Sequence, residues 1–190
     1  MGLWKPKYPK QRNLAALQVQ VVVNPFVMTI RDMQPADWDQ VSQIYADGIA
    51  TGFATFETAT PSFEHWDKAH VDHCRFVAEE NGEILGWVAL SPVSSRCVYG
   101  GVAEVSVYIS GKNRGKGVGK NLMEHLILKS EEAGFWTLQS GIFPENIGSI
   151  KLHEKVGFRY IGKRERVGKI HGEWKDNLLF EKRSSVIGTD

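Results

Sequence analysis

The feature that most constrains the fold is a glycine-rich stretch, NRGKGVGKNLMEHLIL at residues 113–128, which joins a strand pattern to a helix pattern. The preceding segment, 102–110, alternates like a half-buried strand. Segment 118–133 has apolar residues at three- and four-residue steps, and another strand pattern covers 135–142. This order predicts a crossover between two parallel strands, which is right-handed in nearly all proteins.

The rest of the chain alternates short strands and helices. In the first part of the chain, the patterns predict a strand at FVMTIRDM, a helix over 36–50, a loop TGFATFETATP and a helix capped by Ser62. Further along they predict a hairpin that turns at Asn81–Gly82, a helix in NIGSIKLHEKVGF that ends at Gly157, and two strands over 158–182. The Asn-Gly pair supplies the positive φ angles of a tight hairpin turn. Hairpins combined with crossovers predict an α/β fold, a mixed sheet with helices on both faces.

The length of 190 residues fits one domain with one substantial core. Because MTIRDMQPADW opens like a domain, we predict an accessory arm at 1–27, the domain at 28–183 and a tail at 184–190. Glutamines 18 and 20 interrupt the apolar part of the arm, and no small-residue cleavage site follows, so a signal peptide is not expected.

Charge and composition exclude several classes of function. A net charge of +1 with no basic stripe argues against a nucleic-acid partner, and no run approaches the roughly 20 apolar residues of a membrane span. Cys74 and Cys97 form no disulfide framework, which favours a reduced, cytoplasmic protein. Three histidines, His65, His70 and His73, lack carboxylate or Cys partners at ligand spacing, so no metal is expected.

The glycine-rich stretch matches neither common nucleotide motif. A Walker loop needs glycine where Arg114 stands, and Ser or Thr where Asn121 stands. A Rossmann fingerprint needs glycine at Lys120 or at Leu122. Backbone amides between a strand and a helix, with glycines that allow close approach, nevertheless suit a diphosphate. The alternative is a tight turn that merely contains glycine.

Two motifs together resemble the GCN5-related N-acetyltransferase (GNAT) superfamily. RGKGVG is similar to its acetyl-CoA signature, and NIGSIKLHEKVGF is similar to its short helix with Asn and EKxGF. The resemblance covers about 28–182 and implies a central mixed, mostly antiparallel sheet. TGFATFET, AEVSVYIS and HGEWKD further resemble the phosphinothricin and methionine sulfoximine N-acetyltransferase branch. Many superfamily members place Tyr before EKxGF, where this chain has His153.

The resemblance also implies the residues of the cofactor site. Acetyl-CoA is expected as cosubstrate, with its pyrophosphate on the amides of 114–119. The expected cofactor-binding residues are Val105, Val107, Tyr108, Ile109, Arg114, Gly115, Lys116, Gly117, Val118, Gly119, Lys120, Asn146 and Ser149.

Acetyl transfer to an amine needs a proton acceptor for the ammonium group, donors for the oxyanion and a proton or dipole near the departing thiolate. We predict that Glu104 accepts the ammonium proton, directly or through water, and that His153 shuttles a proton or protonates the thiolate. An amide near Val107, freed by a strand bulge, is the expected oxyanion donor. The alternatives are a solvent-facing carboxylate paired with a basic residue for Glu104, and a cap or packing role for His153.

The acceptor is predicted from the same resemblance. Arg96 could pair with a substrate carboxylate, Tyr99 could donate a hydrogen bond, and Phe56 could form an apolar wall. The expected substrate is a small amino acid of phosphinothricin or methionine sulfoximine type, and a homodimer is implied. A protein N-terminus, polyamine or aminoglycoside acceptor, or a non-catalytic acetyl-CoA sensor, stays open. The loops TGFATFETATP and SPVSSRCVYGG hold one acid, Glu57, which disfavours polycations.

Overall fold

The computed structural model describes residues 19–23 and 26–189. Its strands are β1 Val19–Val23, β2 Phe26–Asp32, β3 Phe76–Glu80, β4 Glu83–Pro92, β5 Val102–Ile109, β6 Thr137–Ile142, β7 Arg159–Ile170 and β8 Glu173–Arg183. Its α-helices are α1 Trp38–Ala50, α2 Phe63–Ala69, α3 Val118–Glu132 and α4 Ile147–Lys155. Within these described ranges, no helix is both long and apolar enough to cross a membrane.

One sheet contains the eight described strands in the order β1-β2-β3-β4-β5-β6-β8-β7. Of the strand pairs within the described residues, β5–β6 alone is parallel, with Val102 opposite Thr137 and Glu104 opposite Gln139. The helix α3 connects these two strands. The predicted crossover and the mostly antiparallel mixed sheet are therefore confirmed.

Helices cover both faces of the sheet, as predicted. Side chains alternate along β4. Val88 and Leu90 therefore pack in the core beneath α3. Trp87 and Ala89 pack on the opposite face, in the core beneath α1 and α2. Trp66 of α2 is only 1% exposed and packs edge-on against Trp87 at 5.7 Å between centroids. The strands β4 and β5 are thereby fixed between two cores.

Local signals fix the turns and helix starts. Asn81 and Gly82 have φ angles of 51° and 81°, so the predicted hairpin turn is confirmed. The hydroxyl of Ser62 accepts a hydrogen bond from the His65 N–H at 3.3 Å and caps α2 as expected. The helix pattern SFEHWDKAHVDH predicts an end near residue 73, but α2 ends at Ala69 because the backbone of His70 is extended.

The strand β1 pairs antiparallel with β2 and adds an edge strand from within the segment predicted as an arm. Residues 1–18 lie outside the described residues. The proposed division at residue 28 and the role of the arm stay predictions.

Candidate active site

The site begins where two parallel strands diverge. Pairing between β5 and β6 ends at Glu104, whereas β5 continues to Ile109 and stays paired with β4 in an unshifted register. The N–H of Ser110 donates to Leu85 on the β4 side at 2.9 Å. Because successive amides point to opposite edges of a strand, the amides of Val105, Val107 and Ile109 face the gap.

This geometry corrects one expectation. The β4–β5 register shows no bulge near Val107, so the predicted bulge is wrong. The amide of Val107 lies beyond the last β5–β6 pair because β6 separates from β5 after Gln139, while it stays paired with β8 as far as Ile142.

A cavity of about 830 Å³ occupies the gap. Of the predicted cofactor-binding residues, Lys116 is the one that does not line it. Gly115 and Gly117 have φ angles of 75° and 87°, and a Cβ at either position would meet no heavy atom within 4 Å. The conformation therefore requires glycine there, and the backbone stays open to a ligand.

Positive charge surrounds the start of α3. Gly117 is its N-cap and provides no side-chain cap, so the first amides of the helix are directed outward. The Arg114 Nε donates to the Ile109 carbonyl at 3.4 Å, and Lys120 pairs with Glu124 at 2.8 Å. The Lys116 Nζ donates to Asn113 Oδ1 at 3.1 Å. These groups fit a pyrophosphate at a helix N-terminus.

Asn146 organises the opposite wall of the cavity. Its Oδ1 accepts from the Ser149 N–H at 3.1 Å and caps α4, and its Nδ2 donates to the Phe53 carbonyl at 3.3 Å. One side chain thus joins the start of α4 to the loop that follows α1.

Glu104 lines the cavity at the point where β5 leaves β6. Burial raises the pKa of the Glu104 carboxyl, while the charge of Arg164, the Gly141 amide and the Gln139 side chain act in the opposite direction. A partly desolvated carboxylate facing a cavity is suited to accept a proton. The alternative, a strand carboxylate paired with a basic residue, stays open, because Glu104 is only half-buried and the charge of Arg164 acts on it.

His153 also lines the cavity and is 1% exposed. Its Nδ1 lies 2.8 Å from the Ser149 carbonyl oxygen, which can only accept, so Nδ1 carries the proton. Burial lowers the pKa of His153, and its buried Nε2 has no hydrogen-bond partner among the described residues. The resting imidazole is neutral with a free lone pair on Nε2, so it is suited to accept a proton and has none at Nε2 to give.

The three predicted substrate residues separate into two groups. Phe56 lines the cavity and packs edge-on against Phe143 at 4.6 Å between centroids. Arg96 and Tyr99 do not line it; they are exposed on the loop between β4 and β5, with the Arg96 guanidinium 5.7 Å from the Tyr99 ring.

The polar residues of the cavity that the sequence patterns did not predict include Arg164 on β7 and Asn177 on β8. The Arg164 Nη2 donates to Asn177 Oδ1 at 2.7 Å. A signal was present, since Asn177 is a polar residue directly before the apolar run LLF of a strand.

The cavity lies between splayed strands, with a glycine-rich helix start suited to a diphosphate at one end and the half-buried carboxylate of Glu104 at the other, which fits an acyl-transfer enzyme with a nucleotide-linked donor. The model of the Acetyltransferase (GNAT) family matches residues 38–158, and the chain belongs to this family. It is an N-acetyltransferase of the phosphinothricin acetyltransferase-like branch.

Relatives support this placement. YwnH of Bacillus subtilis, whose name assigns it provisionally to the phosphinothricin acetyltransferases, is 34% identical over 154 residues, covering 78% of this chain and 94% of YwnH. The L-methionine sulfoximine/L-methionine sulfone acetyltransferase of Salmonella typhimurium is 29% identical over 154 residues, with 78% and 90% covered. A crystal structure of a GNAT superfamily phosphinothricin acetyltransferase from Sinorhizobium meliloti, in complex with acetyl-CoA, has a TM-score of 0.74 at 29% identity, with 82% and 88% covered. Acetyl-CoA is accordingly the acyl donor.

Proposed function

We propose that the protein acetylates the amino group of a small amino-acid-like acceptor of the phosphinothricin or methionine sulfoximine type. The names of its relatives support this acceptor class. The observation that carries the proposal is the placement of Glu104, which lines the same cavity as the glycine-rich loop.

Glu104 serves in this proposal as the general base. The α-ammonium of a free amino acid titrates at about 9 and is mostly protonated at pH 7, so it needs a proton acceptor before it can attack a thioester. As the nitrogen–carbon bond forms, the carbonyl oxygen gains charge, and the Val107 amide facing the gap is positioned to donate to it. Collapse of the adduct then expels the thiolate of CoA.

His153 takes the second role, with one revision. Because its Nε2 lacks a proton at rest, we propose that it first accepts a proton in the cavity and can pass it on to the thiolate only afterwards. The cofactor-binding residues keep the roles predicted above, with the amides of the glycine-rich loop holding the pyrophosphate.

We further propose a cytoplasmic homodimer without a nucleic-acid or membrane partner. Val98 and Tyr99 are 62% and 44% exposed on the β4–β5 loop and offer apolar contact area. Arg96 and Tyr99 keep their predicted substrate roles only if this loop moves, or if the loop of a second copy reaches the cavity. Light scattering after size exclusion, with Val98→Asp as the disrupting variant, tests the dimer.

The test of function is steady-state release of CoA thiol with phosphinothricin, methionine sulfoximine, methionine sulfone and spermidine as acceptors. We expect kcat/KM above roughly 10⁴ M⁻¹s⁻¹ for the amino acids, within the ordinary enzyme range. Turnover of spermidine alone would leave acetyl transfer standing and refute the acceptor class. Binding of acetyl-CoA without turnover of any acceptor would refute the proposal in favour of a sensor or a protein acceptor.

A further inference from the structure

A bulge in β7 lies beside the acceptor end of the cavity. Arg164 is opposite Asn177 and Gly168 is opposite Lys175, so four steps along β7 match two along β8. Arg166, inside the bulge, has a φ of 50°, which is uncommon for a residue with a Cβ. The Arg166 N–H donates to Asp176 Oδ1 at 2.9 Å and fixes this conformation. Bulges beside active sites commonly redirect a side chain.

The side chain next to the bulge is Arg164, which lines the cavity. Its guanidinium is held by Asn177, which is 4% exposed. Asn177 in turn lies so close to Gly141 that a Cβ there would be 2.7 Å from Asn177 Oδ1. The packing of Asn177 against Gly141, the hydrogen bond from Arg164 to Asn177 and the neighbouring bulge together fix the position of the Arg164 guanidinium.

This guanidinium stands near the proposed base. Other cations line the cavity, among them Lys120 at the pyrophosphate end and Lys151 and Lys155 on α4. Arg164 and Glu104 line the same cavity, and the charge of Arg164 acts to lower the pKa of the Glu104 carboxyl. A negative and a positive group in one cavity match a zwitterion, in which an ammonium and a carboxylate share one carbon atom.

We infer that Arg164 binds the α-carboxylate of the acceptor while Glu104 receives its ammonium group, so that the site selects free α-amino acids. This inference rests on the proposed function and assigns to Arg164 the contact predicted for Arg96. The planar guanidinium can hold a carboxylate through two parallel hydrogen bonds. Amines without a carboxylate leave the Arg164 guanidinium without this second partner and bind less well.

The test compares methionine sulfone with 3-(methylsulfonyl)propan-1-amine, which differs from it by loss of the carboxylate. Charged hydrogen bonds contribute enough that wild-type kcat/KM should favour the amino acid by about 10- to 100-fold. Arg164→Gln should remove most of this preference by slowing the amino acid alone. Arg159→Gln serves as the control, because Arg159 lies on the same strand but is 69% exposed and pairs with Glu181 instead of lining the cavity.

The outcomes separate the inference from the proposed function. If Arg164→Gln lowers kcat/KM for methionine sulfone alone, the result supports the inference. Partial recovery of that kcat/KM in Arg164→Lys supports it too, and shows that a folded protein with a cation at this position regains the preference. An equal loss for both acceptors would show a counter-ion for Glu104 and overturn it. Equal wild-type turnover of the two acceptors overturns the inference and leaves acetyl transfer intact, whereas turnover of neither overturns the proposed function and the inference with it.

Discussion

The substitution Glu104→Gln removes the proposed base and keeps an oxygen that can accept from the Gly141 amide. Without a base, the reaction depends on amine that has already lost its proton to solvent. With an α-ammonium pKa of about 9, between a peptide α-amino group and a lysine, roughly one acceptor molecule in 10² is neutral at pH 7. We therefore expect kcat/KM to fall about 10²-fold at pH 7, or about 3 kcal/mol, within the usual range for general bases.

The pH profile distinguishes this loss from simple damage to the site. Wild-type kcat/KM should be level between the pKa of Glu104, which burial raises, and that of the amine. The variant should instead gain about tenfold per pH unit, so that its deficit narrows to about tenfold at pH 8. Steady-state thiol release from pH 6 to 9 measures both profiles, with Glu132→Gln on α3 as the control. A variant profile parallel to the wild-type one would show that Glu104 is not the base.

Three further predictions concern the packing at Gly86, the pH dependence of stability at His70 and the catalytic role of His153. A Cβ at Gly86 would lie 2.8 Å from a backbone oxygen of β5. Gly86→Ala should therefore lower the unfolding free energy, measured in urea, by about 1–3 kcal/mol. Gly111→Ala is the control and should change this free energy little, because a Cβ there meets open space; equal effects of the two substitutions would contradict the prediction. Burial lowers the pKa of His70, so the folded state favours the neutral imidazole. The stability that the neutral ring contributes above pH 6.5 is therefore lost as the pH falls through the pKa of the folded state. Between pH 7 and 5 the urea midpoint of His70→Gln should fall less than that of the wild type, and an equal fall would argue against this role of His70. His153→Ala should reduce kcat/KM at least about tenfold with circular dichroism unchanged; near-wild-type turnover would remove His153 from the mechanism.

The crossover could be predicted because its signals are local. Alternation in β5, helical spacing in α3 and glycines at positive φ are properties of the chain within one contiguous stretch. The hairpin at Asn81–Gly82 is local in the same way. Each of these elements is specified by residues within a few positions of one another.

The acceptor end could not be predicted because it depends on register. Arg164 enters the cavity through a bulge and a contact with Asn177, thirteen residues away on the next strand. Likewise, the freedom of the Val107 amide depends on where β6 leaves β5, which nothing in the β5 sequence records. Alternation identifies a strand, but it does not identify where its neighbour ends.

The proposed activity is transfer of an acetyl group from acetyl-CoA to the α-nitrogen of a free amino acid. Identification of the products from acetyl-CoA and methionine sulfone by mass spectrometry and NMR tests it. We expect N-acetyl methionine sulfone and CoA in equal amounts, with the Glu104→Gln reaction strongly slowed at pH 7. Release of CoA without an acetylated amino acid would contradict it.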